Sequence, residues 1–194
     1  MIRKIKHRAG MWRVAPPKSV SDVIDLVLGR NSMYYWDAVY AVDIGSGVVR
    51  SDETILRLVP MLRGRSTVLD FGCGTGGNVK LLASRLSNTH FHLVERSRVA
   101  LDYARNELLG DADSNGNKFF YHQDLGGIEV DISACICIEV LEHIRDFKQV
   151  LDALWNRLAD DGTLIISVPV RGWWDRCSEH VNKLEFGKFG VKAG

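Results

Sequence analysis

The feature that most constrains this chain is a glycine-rich turn within residues 68–77. A short apolar run ends at Asp70-Phe71, four glycines follow within six residues, and an apolar helical pattern then begins at Val79. This order predicts a buried strand, a tight turn with almost no side chains, and a helix N-terminus. Glycine allows positive φ angles and lets a ligand lie against bare backbone, and the helix start offers unpaired N–H groups. We therefore expect the turn to hold a nucleotide-like ligand.

From residue 67 onward, the sequence alternates between strand and helix patterns. Strands rich in Val, Ile and Leu are predicted at residues 67–71, 90–94, 119–122, 131–138 and 163–168. Helices are predicted between them, at residues 78–86, 97–108 and 147–158. Strands that are apolar throughout are typical of a parallel sheet covered on both faces. The predicted fold class is α/β, with a doubly wound, mostly parallel sheet, helices on both faces and right-handed crossovers.

The rest of the chain divides into segments around this predicted domain, which spans residues 50–170. Residues 1–18 contain six Lys/Arg and no acid, so they are predicted to form a basic, mobile arm, with a contact to an anionic surface as the alternative. Residues 19–49 form a predicted N-terminal cap segment, with helical spacing at residues 19–30. Residues 171–194 form a short C-terminal tail.

The cap segment contains an aromatic cluster, followed by a predicted loop at residues 43–49. Core packing against the domain is one interpretation of this cluster. A lid over a substrate pocket is the other, because Tyr and Trp combine apolar area with a polar group. The sequence does not separate the two interpretations for the cluster, which consists of Tyr34, Tyr35, Trp36 and Tyr40.

Composition excludes several classes of function. The net charge of +1 gives no general reason to expect nucleic acid or an anionic membrane as a partner. No apolar run approaches the roughly 20 residues that a membrane span needs. The four cysteines contain no pair of C-x-x-C motifs, so zinc is not expected, and reduced thiols in a cytoplasmic protein are the simplest interpretation.

The choice of ligand depends on the acid that precedes the glycines. Gly72-x-Gly74-x-x-Gly77 matches a dinucleotide fingerprint, so a nicotinamide-dependent oxidoreductase must be considered. Asp70, two residues before the first glycine, would repel a pyrophosphate, whereas it would attract a cationic amino group.

Acids also end the next two predicted strands. Glu95 can accept hydrogen bonds from both hydroxyls of a ribose, and Asp124 can accept one from an exocyclic amine. In an open parallel sheet these strand ends line one crevice. An amino group, a ribose and an adenine without phosphate describe S-adenosylmethionine.

These motifs resemble the class I S-adenosylmethionine-dependent methyltransferases, which have a Rossmann-like fold. Within this family, the motifs are most similar to those of the branch that includes ubiquinone- and menaquinone-biosynthesis methyltransferases and many small-molecule and glycan O-methyltransferases. The resemblance covers roughly residues 50–180 and includes 68–76, 94–97, 123–125, 138–144 and 158–169. It implies methyl transfer to a small-molecule or glycan-like acceptor, at oxygen. Family members that methylate adenine or glutamine amides carry an Asn/Asp-Pro-Pro-Tyr run after the fourth strand, and this sequence lacks it. DNA and glutamine are therefore not expected as acceptors, and no nucleic acid partner is predicted, whereas other nitrogen acceptors stay open.

The resemblance also implies a role for each matching residue. Asp70, Gly72 and Gly74 would surround the methionine part of the cofactor. Glu95 would hold the ribose, and Arg96 would lie beside the adenine. Asp124 and Leu125 would contact the adenine. Ile138 and Glu139 would border the sulfonium and the entrance for the acceptor.

Three histidines are candidates for other roles. His143 lies in Glu139-x-x-Glu142-His143, which could place a metal-binding trio on one helical face, but packing beside the cofactor is the preferred interpretation and no metal is predicted. His180 resembles a histidine near the acceptor in related enzymes, and is the candidate catalytic residue, with a structural hydrogen bond as the alternative. His122 is interpreted as strand-end packing.

The pattern departs from the family at its C-terminal end, because only 25 residues follow Pro169. The usual final antiparallel strand pair is therefore predicted to be missing or shortened, which would leave residues 163–168 as a bare edge. A homodimer or partner, the tail itself, or a truncated form would each account for that edge. A non-catalytic cofactor-binding or interaction module is the corresponding alternative function.

Overall fold

The computed structural model describes residues 6–7, 10–11, 33–47, 53–168 and 187–191. The predicted helix at 19–30, His180 and the tryptophans of the tail lie outside the described residues. The described strands are β1 (Lys6–His7), β2 (Gly10–Met11), β3 (Thr67–Phe71), β4 (His90–Val94), β5 (Lys118–His122), β6 (Ile132–Ile138), β7 (Leu158–Ser167) and β8 (Gly187–Val191). The α-helices are α1 (Met33–Gly45), α2 (Val59–Leu62), α3 (Gly77–Ala83), α4 (Arg98–Tyr103) and α5 (Phe147–Trp155).

Short helical turns of other kinds complete these elements. A π-helix (Ala104–Leu109) continues α4, and 3-10 helices are Glu53–Leu58, Leu125–Gly127 and Leu141–His143. The 3-10 helix before α2 gives way to α-helix at Val59, next to Pro60, which occupies the first turn, where a missing N–H costs nothing. No helix within the described residues is long and apolar enough to cross a membrane.

Six strands form one sheet in the order β5-β4-β3-β6-β7-β8. The first five are parallel, and β8 runs antiparallel to β7. The change of direction in strand order falls between β3 and β6, so a crevice opens at the carboxyl ends of these two strands. The α/β prediction of a mostly parallel sheet is confirmed.

Two apolar clusters cover the two faces of the sheet. On one face, Val68, Phe91 and Ile136 pack against α2, α3 and the 3-10 turn before α2. On the other face, Leu69 and Cys135 pack against side chains of α5. Because both clusters draw alternate residues from β3, that strand is buried on both sides, as its continuous apolar run predicts.

The structure corrects three boundaries of the predicted elements. α1 continues through Asp43 to Gly45, where a loop was predicted. The predicted helix 147–158 ends at Trp155, and Leu158 instead begins β7, because its backbone pairs in parallel with Ile132. The edge of β7 is not bare, since β8 pairs with residues 163–166. The final strand pair is thus shortened to one described strand.

A histidine pair lies on β4 and β5 at the outer part of the sheet. Nδ1 of His92 and Nε2 of His122 are 3.1 Å apart, and the two rings stack with 9° between their planes. Burial lowers the pKa of His92 from 6.5 to about 4 and also lowers the pKa of His122. Both rings are therefore neutral at pH 7, and the N–H of one ring donates a hydrogen bond to the bare nitrogen of the other.

We expect the contribution of His92 to the free energy of unfolding to fall as the pH is lowered from 6.5 towards 4. Below pH 6.5 the unfolded chain takes up a proton on His92 that the folded state refuses until about pH 4. In urea denaturation, the free energy of unfolding of His92→Phe should therefore rise relative to that of the wild type as the pH falls through this range. His90→Phe, at an exposed position of the same strand, should show little of this rise, because His90 is the smallest of the three causes of the lowered pKa of His92. The interpretation is wrong if His92→Phe and the wild type lose stability equally on acidification.

Candidate functional site

A cleft of about 880 Å³ lies at the carboxyl ends of β3, β4, β5 and β6. Its walls come from the turns that follow these strands, from α1 and from the start of α5. The lining residues are Trp36, Tyr40, Phe71, Gly72, Val94, Glu95, Arg96, Gln123, Asp124, Leu125, Glu139, Val140, His143, Ile144, Arg145, Asp146, Gln149 and Val150.

The glycine turn forms the floor of this cleft. The N–H groups of Gly72 and Cys73 both donate to the carbonyl of Val94, at 2.8 and 3.1 Å, which fixes the turn to the end of β4. Gly72 has a φ of 76°, and a Cβ placed there would lie 2.3 Å from Cγ2 of Val140. Only glycine fits this position, because both the backbone angle and the neighbouring side chain exclude a larger residue.

Glu95 connects the glycine turn to the start of α4. Its Oε2 accepts a hydrogen bond from Gly74 N at 3.1 Å, and its Oε1 accepts one from Ser97 N at 2.9 Å. Burial raises the pKa of Glu95, and these hydrogen bonds oppose the increase. Each carboxylate oxygen accepts more than one hydrogen bond, so Glu95 keeps acceptor capacity for the hydroxyls of a ligand.

Asp70 is the buried acid beneath the turn, with only 3% of its surface exposed. Its Oδ2 has no hydrogen-bond partner among the described residues. Burial, together with the charge of Glu95, raises the pKa of Asp70 from 3.8 to about 7. A buried carboxylate without a partner is unfavourable, and a cationic group bound beside it would relieve this cost. The site therefore fits the amino group of S-adenosylmethionine.

The turn after β5 forms the far end of the cleft. Asp124 accepts a hydrogen bond from Gly126 N at 2.7 Å, which holds its carboxylate at the start of a 3-10 turn. Leu125 and Arg96 lie on the same wall. An apolar side chain, a fixed acceptor and a planar cation in one place suit a flat heterocycle with an exocyclic amine.

Helix α1 contributes one wall of the cleft. Asp37, 4% exposed, accepts hydrogen bonds from Ser97 Oγ and, at 3.4 Å, from Val99 N, so it ties α1 to the start of α4. Trp36 and Tyr40 line the cleft, whereas Tyr34 is 4% exposed and does not. Core packing therefore describes Tyr34, whereas a lid formed by Trp36 and Tyr40 stays a prediction.

The turn after β6 closes the remaining side. Glu139 has a φ of 56°, an uncommon left-handed conformation for a residue with a side chain. Its N–H donates to the carbonyl of Ser167 at 2.9 Å. His143 lies 5.2 Å from Trp36 between ring centroids, and its Nε2 is 3.8 Å from Oε1 of Glu142. Within the described ranges, no three His, Cys, Asp or Glu side chains are grouped so that they could hold a metal ion.

The structure brings most of the predicted site residues together. Three predicted residues do not line the cleft. Ile138 is half-buried and packs against the apolar cluster beneath the cleft, and the other two are Asp70 and Gly74. Two residues of the site were not predicted from the sequence. The role of Asp37 depends on the packing of α1 against α4. Val140 is one apolar residue among many in the sequence, and nothing there indicates that it contacts Gly72. The predicted residues that line the cleft are Gly72, Glu95, Arg96, Asp124, Leu125 and Glu139.

A family model described as "Methyltransferase domain" matches residues 69–164. The chain is 28% identical over 118 residues to an uncharacterized protein of Haemophilus influenzae, covering 59% of this chain and 46% of that protein. It is also 28% identical over 102 residues to the mitochondrial ubiquinone biosynthesis O-methyltransferase of Schizosaccharomyces pombe, covering 52% of this chain and 36% of that enzyme. The chain thus spans less than half the length of these curated relatives.

Two solved structures share the fold. One belongs to the complex between the Haloferax volcanii Trm112 methyltransferase activator and a protein described as "the putative methyltransferase", with a TM-score of 0.54 and 20% identity over 69% of this chain and 58% of that chain. The other is a protein from Bacillus halodurans described as "a putative methyltransferase", with a TM-score of 0.53 and 16% identity over 64% of this chain and 55% of that chain.

Replacing Asp70 with Asn should stabilise the ligand-free protein at pH 8 by about 1–3 kcal/mol. A pKa raised from 3.8 to about 7 means that ionisation of Asp70 destabilises the fold as the pH rises through that range. The gain should therefore shrink towards pH 4. Urea denaturation at several pH values measures it, with Asp131→Asn, at an exposed position, as the matched control. If Asp70→Asn and the wild type had the same free energy of unfolding at pH 8, the ionised carboxylate of Asp70 would not destabilise the fold as expected.

Proposed function

We propose that this chain, a class I S-adenosylmethionine-dependent methyltransferase by its fold and its methyltransferase domain, transfers a methyl group to an oxygen of a small-molecule or glycan-like acceptor. One observation carries the proposal. Asp70, near the end of β3, and Glu95 and Asp124, just after β4 and β5, lie at the carboxyl ends of three adjacent parallel strands. Their order matches the amino group, ribose and adenine of a nucleoside that has no phosphate.

The proposed contacts follow this order along the cleft. Asp70 would attract the amino group from beneath the turn, because its buried Oδ2 has no hydrogen-bond partner among the described residues, although it does not line the cleft. Glu95 would accept hydrogen bonds from the ribose hydroxyls. Arg96, Asp124 and Leu125 would hold the adenine. Glu139 would border the sulfonium, with Ile138 behind it.

The cofactor supplies an electrophilic methyl group on its sulfonium, so the protein has mainly to align the acceptor and exclude water. The walls formed by α1 and by the turn after β6 would do this, with Trp36 and His143 meeting across the cleft. His180 remains our prediction for the residue on the acceptor side. Among the described residues, His143 is the histidine that lines the cleft and can take up the acceptor proton.

The second candidate function is a cofactor-binding or interaction module without transferase activity. The observation that favours it is that the described residues form the half of the cleft that fits the cofactor, whereas the candidate residue on the acceptor side, His180, lies outside them. For either function we propose the cytoplasm as the location. Cys73, Cys135 and Cys137 are free thiols, which suits a reducing compartment.

Calorimetric titration tests the ligand. We expect the protein to bind S-adenosylhomocysteine and not NADH, and Asp70→Asn to weaken S-adenosylhomocysteine binding by about 10-fold or more, because it removes the charge facing the amino group. Asp131→Asn should bind like the wild type. Binding of NADH in place of S-adenosylhomocysteine would refute the proposal.

Methyl transfer tests the reaction. S-adenosylmethionine with a labelled methyl group is incubated with pairs of acceptors that share one skeleton and carry either a hydroxyl or an amine. Label in the hydroxylated partners supports oxygen as the acceptor atom, and label in the amines alone overturns it. Cofactor binding without label in any pair supports the module.

A further inference from the structure

We infer that Tyr40 is a cofactor-positioning residue: its hydroxyl holds the carboxylate of Glu95 against the glycine turn, ready to receive the ribose. The inference rests on the proposed function, since it concerns the same site. It assigns a task to α1, an element that no motif of the sequence connects to the cofactor. Tyr40 itself lies outside the matched range of the methyltransferase domain.

The first support is the position of the hydroxyl. It donates to Oε2 of Glu95 at 3.5 Å, and the same oxygen accepts a hydrogen bond from Gly74 N at 3.1 Å. A Cβ placed on Gly74 would lie 3.0 Å from the hydroxyl of Tyr40, so the phenol lies directly over that glycine. Oε2 is therefore held between the turn below it and the phenol above it.

The second support is that the rest of α1 fixes this position. Asp37, one helical turn before Tyr40, is buried and bound to Ser97 Oγ. Tyr40 packs against the apolar cluster of Ala41, Ile44 and Val99. Its ring also lies 5.8 Å from that of Trp36. The phenol is thus held by packing on the helix side, and only its hydroxyl reaches the carboxylate.

The third support is the electrostatics around Glu95. The charge of Glu95 acts on two groups from β3 and the turn, because it raises the pKa of Asp70 and of Cys73. Burial raises the pKa of Glu95, and hydrogen bonds from Ser97, Gly74, Arg96 and Tyr40 lower it, in that order. The hydroxyl of Tyr40 therefore favours the ionised carboxylate, which is the form that accepts from two ribose hydroxyls.

Tyr40→Phe removes the hydroxyl and keeps the ring that packs. We expect it to weaken binding of S-adenosylhomocysteine and of 5′-methylthioadenosine by about 3- to 10-fold in calorimetry. This is the effect of one ordinary hydrogen bond, because a contact of 3.5 Å is too long for the full strength of a bond to a charged group. Tyr35→Phe is the matched control, because Tyr35 lies on the same helix with its ring against Trp36 and does not line the cleft.

The pH profile separates positioning from a general structural effect. 5′-methylthioadenosine lacks the amino and carboxyl groups of the cofactor, so its binding does not depend on pairing with Asp70. Its affinity should fall on acidification as Glu95 becomes protonated, and in Tyr40→Phe this fall should occur at higher pH. In a Glu95→Gln background, Tyr40→Phe should cause no further change in affinity or pH profile.

The outcomes distinguish this inference from the proposed function. If the wild type binds S-adenosylhomocysteine while Tyr40→Phe matches it in affinity and in pH profile, the role of Tyr40 is wrong and the proposed function stands. An additive loss in the Glu95→Gln background likewise overturns it, because Tyr40 would then act elsewhere. If the wild type binds neither ligand, both proposals are refuted.

Discussion

The site depends on one buried carboxylate, that of Glu95. Its two oxygens accept hydrogen bonds from the glycine turn after β3 and from the first residue of the turn into α4. The same Ser97 donates its hydroxyl to Asp37 of α1. One acid at the end of β4 thereby sets the relative position of three segments that are far apart in sequence.

This arrangement places Asp70 and Glu95 close together in a buried region, where two negative charges destabilise each other. The charge of Glu95 adds to burial in raising the pKa of Asp70 to about 7. A core built only for stability would not leave Oδ2 of Asp70 without a partner. Functional sites often carry such unfavourable features, and here a bound cation between the turn and Asp70 would turn repulsion into attraction.

Much of the fold can be predicted from the sequence, because buried strands are apolar runs with polar or glycine residues at both ends. β3 and β4 begin and end at the residues predicted, since polar or glycine residues flank each run. The predicted start of β7 was wrong by five residues. Residues 158–162 are helix-like and polar in pattern, and Leu158 alone among them pairs with β6, opposite Ile132, before a register shift leads to Thr163 opposite Ala134. Long-range pairing is the information that a local pattern lacks.

The same limit explains which half of the site was predictable. The half that fits the cofactor is made by residues immediately after strands, so the parallel topology alone brings Glu95 and Asp124 to one edge. The other half comes from α1 and from the turn after β6, where placement depends on packing between distant segments. Trp36 meets His143 across the cleft, although 107 positions separate them in the chain. A sequence can show that such side chains suit a pocket, but only the folded chain determines which of them share it.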